Sequence, residues 1–261
     1  MTDSTGMPKV SSGREIAHDS TLRTRLADNL ARHTVRHHAD EGRKRAAVAV
    51  IVLDSEADLH GSDPGGQGLN AQQRRELLAQ IPDSAGDPSL TGSIDGTAGG
   101  AAVLLTRRAG HLRGHRGQWA LPGGRADDYE TALEAAIREC AEEVGLEMTP
   151  DDVLGRLDDY PTRSGYVISP IVFWLGDEQA PVANPAEVAS IHRVSLRELT
   201  RPDSPRLVSI PESDRPVVQV PVGGDLIHAP TGAVLYQFRA VAYEGRATRV
   251  DELEQPTFAW S

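Results

Sequence analysis

Cysteine is almost missing from this chain, with Cys140 the single one in 261 residues. One thiol forms no intrachain disulfide, and no Cys/His group has zinc-ligand spacing, so the chain reads as built for a reducing compartment, with cytoplasm the expected location. Aromatic residues are scarce, at three Phe, five Tyr and three Trp. No basic stripe interleaved with stacking rings can be drawn, which argues against a nucleic-acid partner. Positive charge is in deficit: 27 Lys and Arg against 38 Asp and Glu give a formal net charge of -11. That balance opposes broad binding to nucleic acid or an anionic membrane, so any anionic ligand has to meet a local basic cluster. The longest apolar stretches, 46–53 and 167–175, fall well short of the roughly 18 residues of a membrane span. The first twenty residues lack the basic start and apolar run of a signal peptide. A soluble protein without a membrane partner is expected.

What is present divides the chain. Residues 1–19 are polar and unpatterned and read as a flexible tail. From Ser20, Leu22, Leu26, Ala27, Leu30, Ala31 and Val35 recur at helical spacing, and AAVAVIVLD at 46–54 follows as a buried strand. Residues 55–99 are rich in Gly, Ser, Asp and Pro around one short helical candidate, NAQQRRELLAQ, and read as a mobile insertion. AAVLLTRR at 101–108, VLGRLDDY, VISPIVFWL, VVQV and DLIHA are further strand candidates, with short helical SLRELT and a last helix at 233–243 capped by Thr231. One main domain over 20–250 and a C-terminal tail at 251–261 are expected, in the α/β class, with strands on either side of a central helix.

That helix, 132–144, is rich in Ala, Leu, Glu and Arg and meets Gly145 as a C-terminal cap. Leu133, Ala136, Ile137, Cys140 and Val144 form its expected buried stripe, where Cys140 acts as a small apolar group. Glu139, Glu142 and Glu143, at i, i+3 and i+4, share a different face. Such a triplet is ordinarily a solvated surface, where repulsion costs only about 0.2–0.5 kcal/mol per pair. The flanks argue otherwise. Pro122-Gly123-Gly124 supplies a turn without side chains, where a backbone carbonyl can face a hard cation, and Arg138 is placed to orient the acids. Oxygen ligands without His or Cys favour Mg2+ or Mn2+, ions that neutralise diphosphate oxygens and lower the pKa of a bound water.

The ordered set Gly124, Glu130, Arg138, Glu139, Glu142, Glu143 and Gly145 resembles the box of the Nudix hydrolase family. At ordinary residue usage such a set arises on the order of once in a hundred million registers. The resemblance implies a Nudix-type α/β/α sandwich with a mixed sheet. It also implies that Glu139, Glu142 and Glu143 carry the metal ions, with Gly123 offering a carbonyl. The general base stays open among Glu142, Glu139 and the downstream Glu187, since Nudix members place it within the box or on a later loop.

Upstream, LLTRRAGHLRGHRGQWALPGG at 104–124 is similar to the second signature of the coenzyme A diphosphatase branch, with Leu104, Leu105, Thr106, Arg108, Ala109, Arg113, Gly117, Pro122, Gly123 and Gly124 in register. Leu121 stands where Phe is usual. Arg107, Arg108, His111, Arg113, His115 and Arg116 form a dense basic segment in an acidic chain and suit a ligand with several phosphates. PTRSGYVISP at 161–170 resembles the same branch, and Arg163 either reaches the substrate or pairs with Asp158 or Asp159. The implied reaction splits coenzyme A or a derivative into 3′,5′-ADP and a 4′-phosphopantetheine species. The competing readings are a Nudix diphosphatase for another nucleotide, such as ADP-ribose or a dNTP, and a nucleotide-sensing module without hydrolysis. Dimers are common in such enzymes, so the resemblance also admits a homodimer.

Overall fold

A nine-residue parallel pairing lies at the centre of the molecule, where β1 (Lys44–Asp54) runs beside β7 (Tyr166–Trp174), from Lys44↔Tyr166 to Val52↔Trp174. The computed structural model describes residues 16–55, 100–109, 118–176, 179–222 and 225–256. Around this pair the remaining neighbours are antiparallel: β2 (Ala101–Arg108) and the short β4 (Gly123–Arg125) join β1, β5 (Val153–Arg156) and β6 (Tyr160–Pro161) join β7, and β3 (Trp119–Ala120) and β8 (Val188–Ser195) join β2. One parallel pair among antiparallel ones makes the eight-stranded sheet mixed. A smaller antiparallel sheet follows, ordered β11 (Asp225–His228), β10 (Ser213–Val222), β9 (Arg206–Ile210).

Period-two alternation along β1 divides the core in two. Val50 and Val52 pack on one face with Leu22, Leu26 and Leu30 of α1 (Ser20–Arg32) and with Val234, Leu235 and Phe238 of the last helical segment. Ala47, Ala49, Ile51 and Leu53 pack on the other, against Ala135, Ala136, Cys140 and Val144 of α2 (Ala132–Val144). Small alanines at 47 and 49 let α2 approach this part of the sheet closely. The result is an α/β/α sandwich with helices on both faces.

Several expectations shift. The body begins before residue 20: the Ile16 carbonyl accepts from Ala101 N–H at 2.7 Å, and His18 stacks on Trp174 with ring centroids 3.9 Å apart. The expected C-terminal tail is corrected likewise, because Glu254 N–H donates to the Pro216 carbonyl at 2.8 Å and both Glu254 and Gln255 are buried. Thr231 does not cap the last helix; it is its first residue, in Thr231–Gln237, and Phe238–Tyr243 continues as a π-helical turn. Strand β8 was not expected, since Ser190, His192 and Arg193 interrupt its apolar pattern. Hydrogen bonds let His192 and Arg193 be buried: His192 Nε2 is 2.7 Å from Ser190 Oγ, and Arg193 donates to the Asp54 carbonyl at 3.3 Å. The insertion at 56–99, its helical candidate and the N-terminal 1–15 lie outside the described residues.

Candidate metal and phosphate site

Helix α2 forms where expected, and both ends have identifiable causes. Thr131 Oγ accepts from Glu134 N–H at 3.2 Å while Glu134 accepts from Thr131 N–H at 2.8 Å, a reciprocal capping box. Gly145 ends the helix in the left-handed region at φ 64°. The buried face differs from the expected stripe. Glu139 and Glu143, one turn apart, are buried beside Ala136 and Cys140, whereas Leu133 and Ile137 are only half-buried. Cys140 is fully buried and burial pushes its thiol far up, which removes it from the chemistry.

Two carboxylates turn inward because β4 lets them. A Cβ on Gly124 would overlap the Glu139 carboxylate, and one on Gly123, at φ +151°, would overlap the Ala47 carbonyl oxygen of β1. The glycines are therefore required for different reasons, which gives a paired prediction. Gly123→Ala meets rigid backbone and is expected to destabilise the fold by about 2 kcal/mol or more, read in a urea melt. Gly124→Ala meets the end of a flexible side chain, so the fold should survive while the Glu139 carboxylate moves and turnover drops at least about ten-fold. Equal melts with unchanged turnover in both variants would contradict this division.

Glu139, Glu143 and Glu187 each offer a carboxylate oxygen within 4.8 Å of the others'. Glu187 comes from the turn before β8. Glu143 accepts from Gly123 N–H at 3.0 Å and has Arg108 Nη1 3.9 Å away, yet burial dominates and lifts its carboxyl to about 7. Burial lifts Glu139 too, opposed by Arg138. Arg138 is a clamp: it donates to Glu130 at 2.9 and 3.0 Å, to Glu139 at 2.9 Å, to Glu142 at 3.1 Å and to the Arg125 carbonyl at 3.1 Å. The role expected for Arg138 is thus met, and Glu130 holds its other side. Three gathered acids with two of them buried leave negative charge that the nearby arginines only partly balance. An all-oxygen donor set of this kind fits a hard divalent cation such as Mg2+ or Mn2+.

Of the residues expected here, Glu142 does not join the group; its carboxylate is half-exposed and tied to Arg138. Gly123 contributes its N–H to Glu143. Arg108 stands between the acids and a cleft of about 510 Å³ on the opposite face of β4, lined by Val48, Trp119, Gly123, Gly124, Tyr166 and Gln255 among others. Arg107 is corrected. The strand pleat sends it away from Arg108 into the body, where it is buried, lies over the Trp119 ring at 3.8 Å and pairs with Asp225. Arg163 pairs with neither Asp158 nor Asp159; it donates to both Glu254 oxygens at 3.1 and 2.6 Å. Asp158 is instead satisfied by Arg249, His33 and Gln237, and Asp159 by Ser169. Arg113 with His111, His115 and Arg116 lies outside the described residues. Sequence reasoning missed Asn184, which organises the Glu187 turn, and Gln255 of the cleft wall; Asn184-Pro185 is a turn signal that could have pointed to the first.

Residues 94–212 match the model of the NUDIX domain. The match covers less than half of the chain. The matched segment begins just before β2 and omits β1, the strand on which its glycine turn packs. The chain is 42% identical over 100 residues to a Yersinia enterocolitica protein named "Uncharacterized Nudix hydrolase NudL", covering 38% of this chain and 51% of that protein. It is also 42% identical over 97 residues to a Yersinia pestis protein of the same name, covering 37% and 49%. It therefore spans about half the length of the curated relatives it matches. Solved structures similar to it include a MutT/nudix family protein from Enterococcus faecalis, at 16% identity and TM-score 0.46 over 82% of this chain and 65% of that one. The Nudix hydrolase RenU of M. smegmatis is similar at 18% identity and TM-score 0.41, over 80% and 91%. Among the described residues, no helix of this chain is long and apolar enough to cross a membrane.

Proposed function

We propose that this chain is a phosphoanhydride hydrolase that holds Mg2+ or Mn2+ on Glu139, Glu143 and Glu187 and cleaves the diphosphate of coenzyme A or a derivative. The observation that carries the reading is the convergence of those acids within 4.8 Å, directly behind the two glycines that line the cleft. When bound, the ion supplies neutralisation of diphosphate oxygens and a water of lowered pKa. The chain's own groups do the rest. Gly123 and Gly124 keep the partition between cleft and acids free of side chains, and Arg108, which lines the cleft near Glu143, is placed to pair with a phosphate. Arg138 fixes the Glu139 carboxylate by hydrogen bond. Glu187 is half-buried where the other two are buried, so water reaches it most readily, and its carboxylate takes the proton of the attacking water. Glu142, turned outward and bonded to Arg138, serves to hold that guanidinium.

The coenzyme A assignment rests on the resemblance of 104–124, on Arg108 at the junction and on a cleft whose apolar floor of Ala46, Val48 and Ile168 suits a bulky organic moiety beside a diphosphate. Turnover of coenzyme A, ADP-ribose and dNTPs with either metal tests it. Coenzyme A is expected to be split to 3′,5′-ADP with kcat/KM about ten-fold or more above the others. ADP-ribose hydrolysis with coenzyme A untouched would overturn the substrate, and tight coenzyme A binding without product under any divalent ion would overturn hydrolysis.

A further inference from the structure

The last carbonyls of a helix have no partners within it, and the end of α2 is completed by the same segment that carries Glu187. Val182 N–H donates to the Val144 carbonyl at 2.8 Å and Asn184 N–H to the Glu143 carbonyl at 2.9 Å, while Asn184 Nδ2 donates to the Glu142 carbonyl at 3.1 Å. Asn184 also folds the turn itself. Its Oδ1 accepts from Ala186 N–H at 3.1 Å, and its carbonyl accepts from Glu187 N–H at 3.0 Å and Val188 N–H at 2.8 Å. From the other side, the Glu187 carbonyl accepts from Ala109 N–H at 2.8 Å, next to Arg108. One side chain therefore joins the helix bearing Glu139 and Glu143 to the turn bearing Glu187.

We infer that Asn184 is a positioning residue that sets the Glu187 carboxylate against Glu139 and Glu143, and so fixes the three-acid geometry that metal binding and water activation need. This rests on the reading of those acids as the metal site. Apart from the Ala109 N–H bond to its carbonyl, the hydrogen bonds that shape the short turn carrying Glu187, between Pro185 and β8, converge among the described residues on Asn184. A substitution at 184 should then act only through Glu187.

The test is a double-variant cycle on the full chain, reading kcat and KM together with Mn2+ affinity by calorimetry. Asn184→Ala is expected to lower kcat about ten- to hundred-fold with KM within about two-fold, and to weaken Mn2+ binding about ten-fold. In a Glu187→Gln background the same change should alter neither quantity by more than about two-fold. Asn184→Asp keeps the acceptor for Ala186 and loses the donor to Glu142, so it should fall between wild type and Ala, and it carries the cycle if Asn184→Ala does not fold. Losses that multiply in the double variant, or wild-type turnover and Mn2+ affinity in the folded single variants, would overturn the inference. Full turnover in Glu143→Gln would overturn the site reading instead. Should no nucleotide be turned over, the Mn2+ cycle alone decides the coupling.

Discussion

Glu143→Gln should yield a protein that is inactive and, without metal at pH 8, more stable than the wild type. The activity arm is the simpler. Glu143 is the most perturbed acid of the proposed metal site, and losing its charge is expected to lower kcat by about three orders of magnitude, comparable to removing a principal electrostatic group from an active site. The stability arm follows from burial. The folded carboxyl titrates at about 7 against an ordinary 4.5, so folding raises its proton affinity. Its contribution is fully present below about 4.5 and is lost as pH rises through about 7. At about 1.4 kcal/mol per unit, the metal-free wild type gives up about 3 kcal/mol by pH 8.

Glutamine keeps the shape and an oxygen for the Gly123 N–H and has no charge to desolvate, so it escapes that loss. Urea melts at pH 4 and pH 8, with and without Mn2+, check it. The wild type should weaken toward pH 8 without metal and recover when Mn2+ is added, whereas the variant should show a flatter pH dependence from this group and a smaller Mn2+ response. A variant less stable than wild type at pH 8 without metal would contradict the burial argument, and turnover within ten-fold of wild type would contradict the metal-site argument.

How far the site was legible in sequence depended on whether a residue's role is local. Helix 132–144, its Gly145 cap and strand 101–108 have the predicted bounds, because helix propensity, capping and an unbroken apolar run are properties of neighbouring residues. The carboxylate set was less legible. Spacing places Glu139, Glu142 and Glu143 on one side of a helix but does not say which of them the sheet will bury. That depends on how close β4 lies, which its two glycines decide. Glu187 was named from the resemblance alone, since the turn that delivers it is organised by bonds to a helix 40 or so residues earlier. Arg163 and Glu254 were illegible as a pair because 91 residues separate them, and a polar C-terminal stretch carries no local mark of being packed.

Arg107 and Arg108 divide most sharply, and the division predicts the largest stability effect outside the metal site. Adjacent strand residues face opposite sides, so only one of the two can face the acids. Arg108 does, 3.9 Å from Glu143. Arg107 is sealed in the core, where burial pulls its guanidinium below the ordinary value and Asp225 opposes that pull. Asp225 is itself completely enclosed and accepts from Trp119 Nε1 at 2.8 Å and from Leu226 N–H at 3.0 Å. Asp225→Ala removes the buried carboxylate that opposes the desolvation of Arg107 and should cost about 3–5 kcal/mol in a urea melt. Adding Arg107→Met to it removes the desolvated charge, so the double variant should be more stable than Asp225→Ala alone. Kinetics separate the neighbours further: Arg108→Ala should raise KM about ten-fold as a phosphate contact is lost, whereas folded Arg107→Met should leave KM within about two-fold. A ten-fold rise in KM for Arg107→Met with an unchanged melt would return Arg107 to the substrate, and the pleat argument would fall.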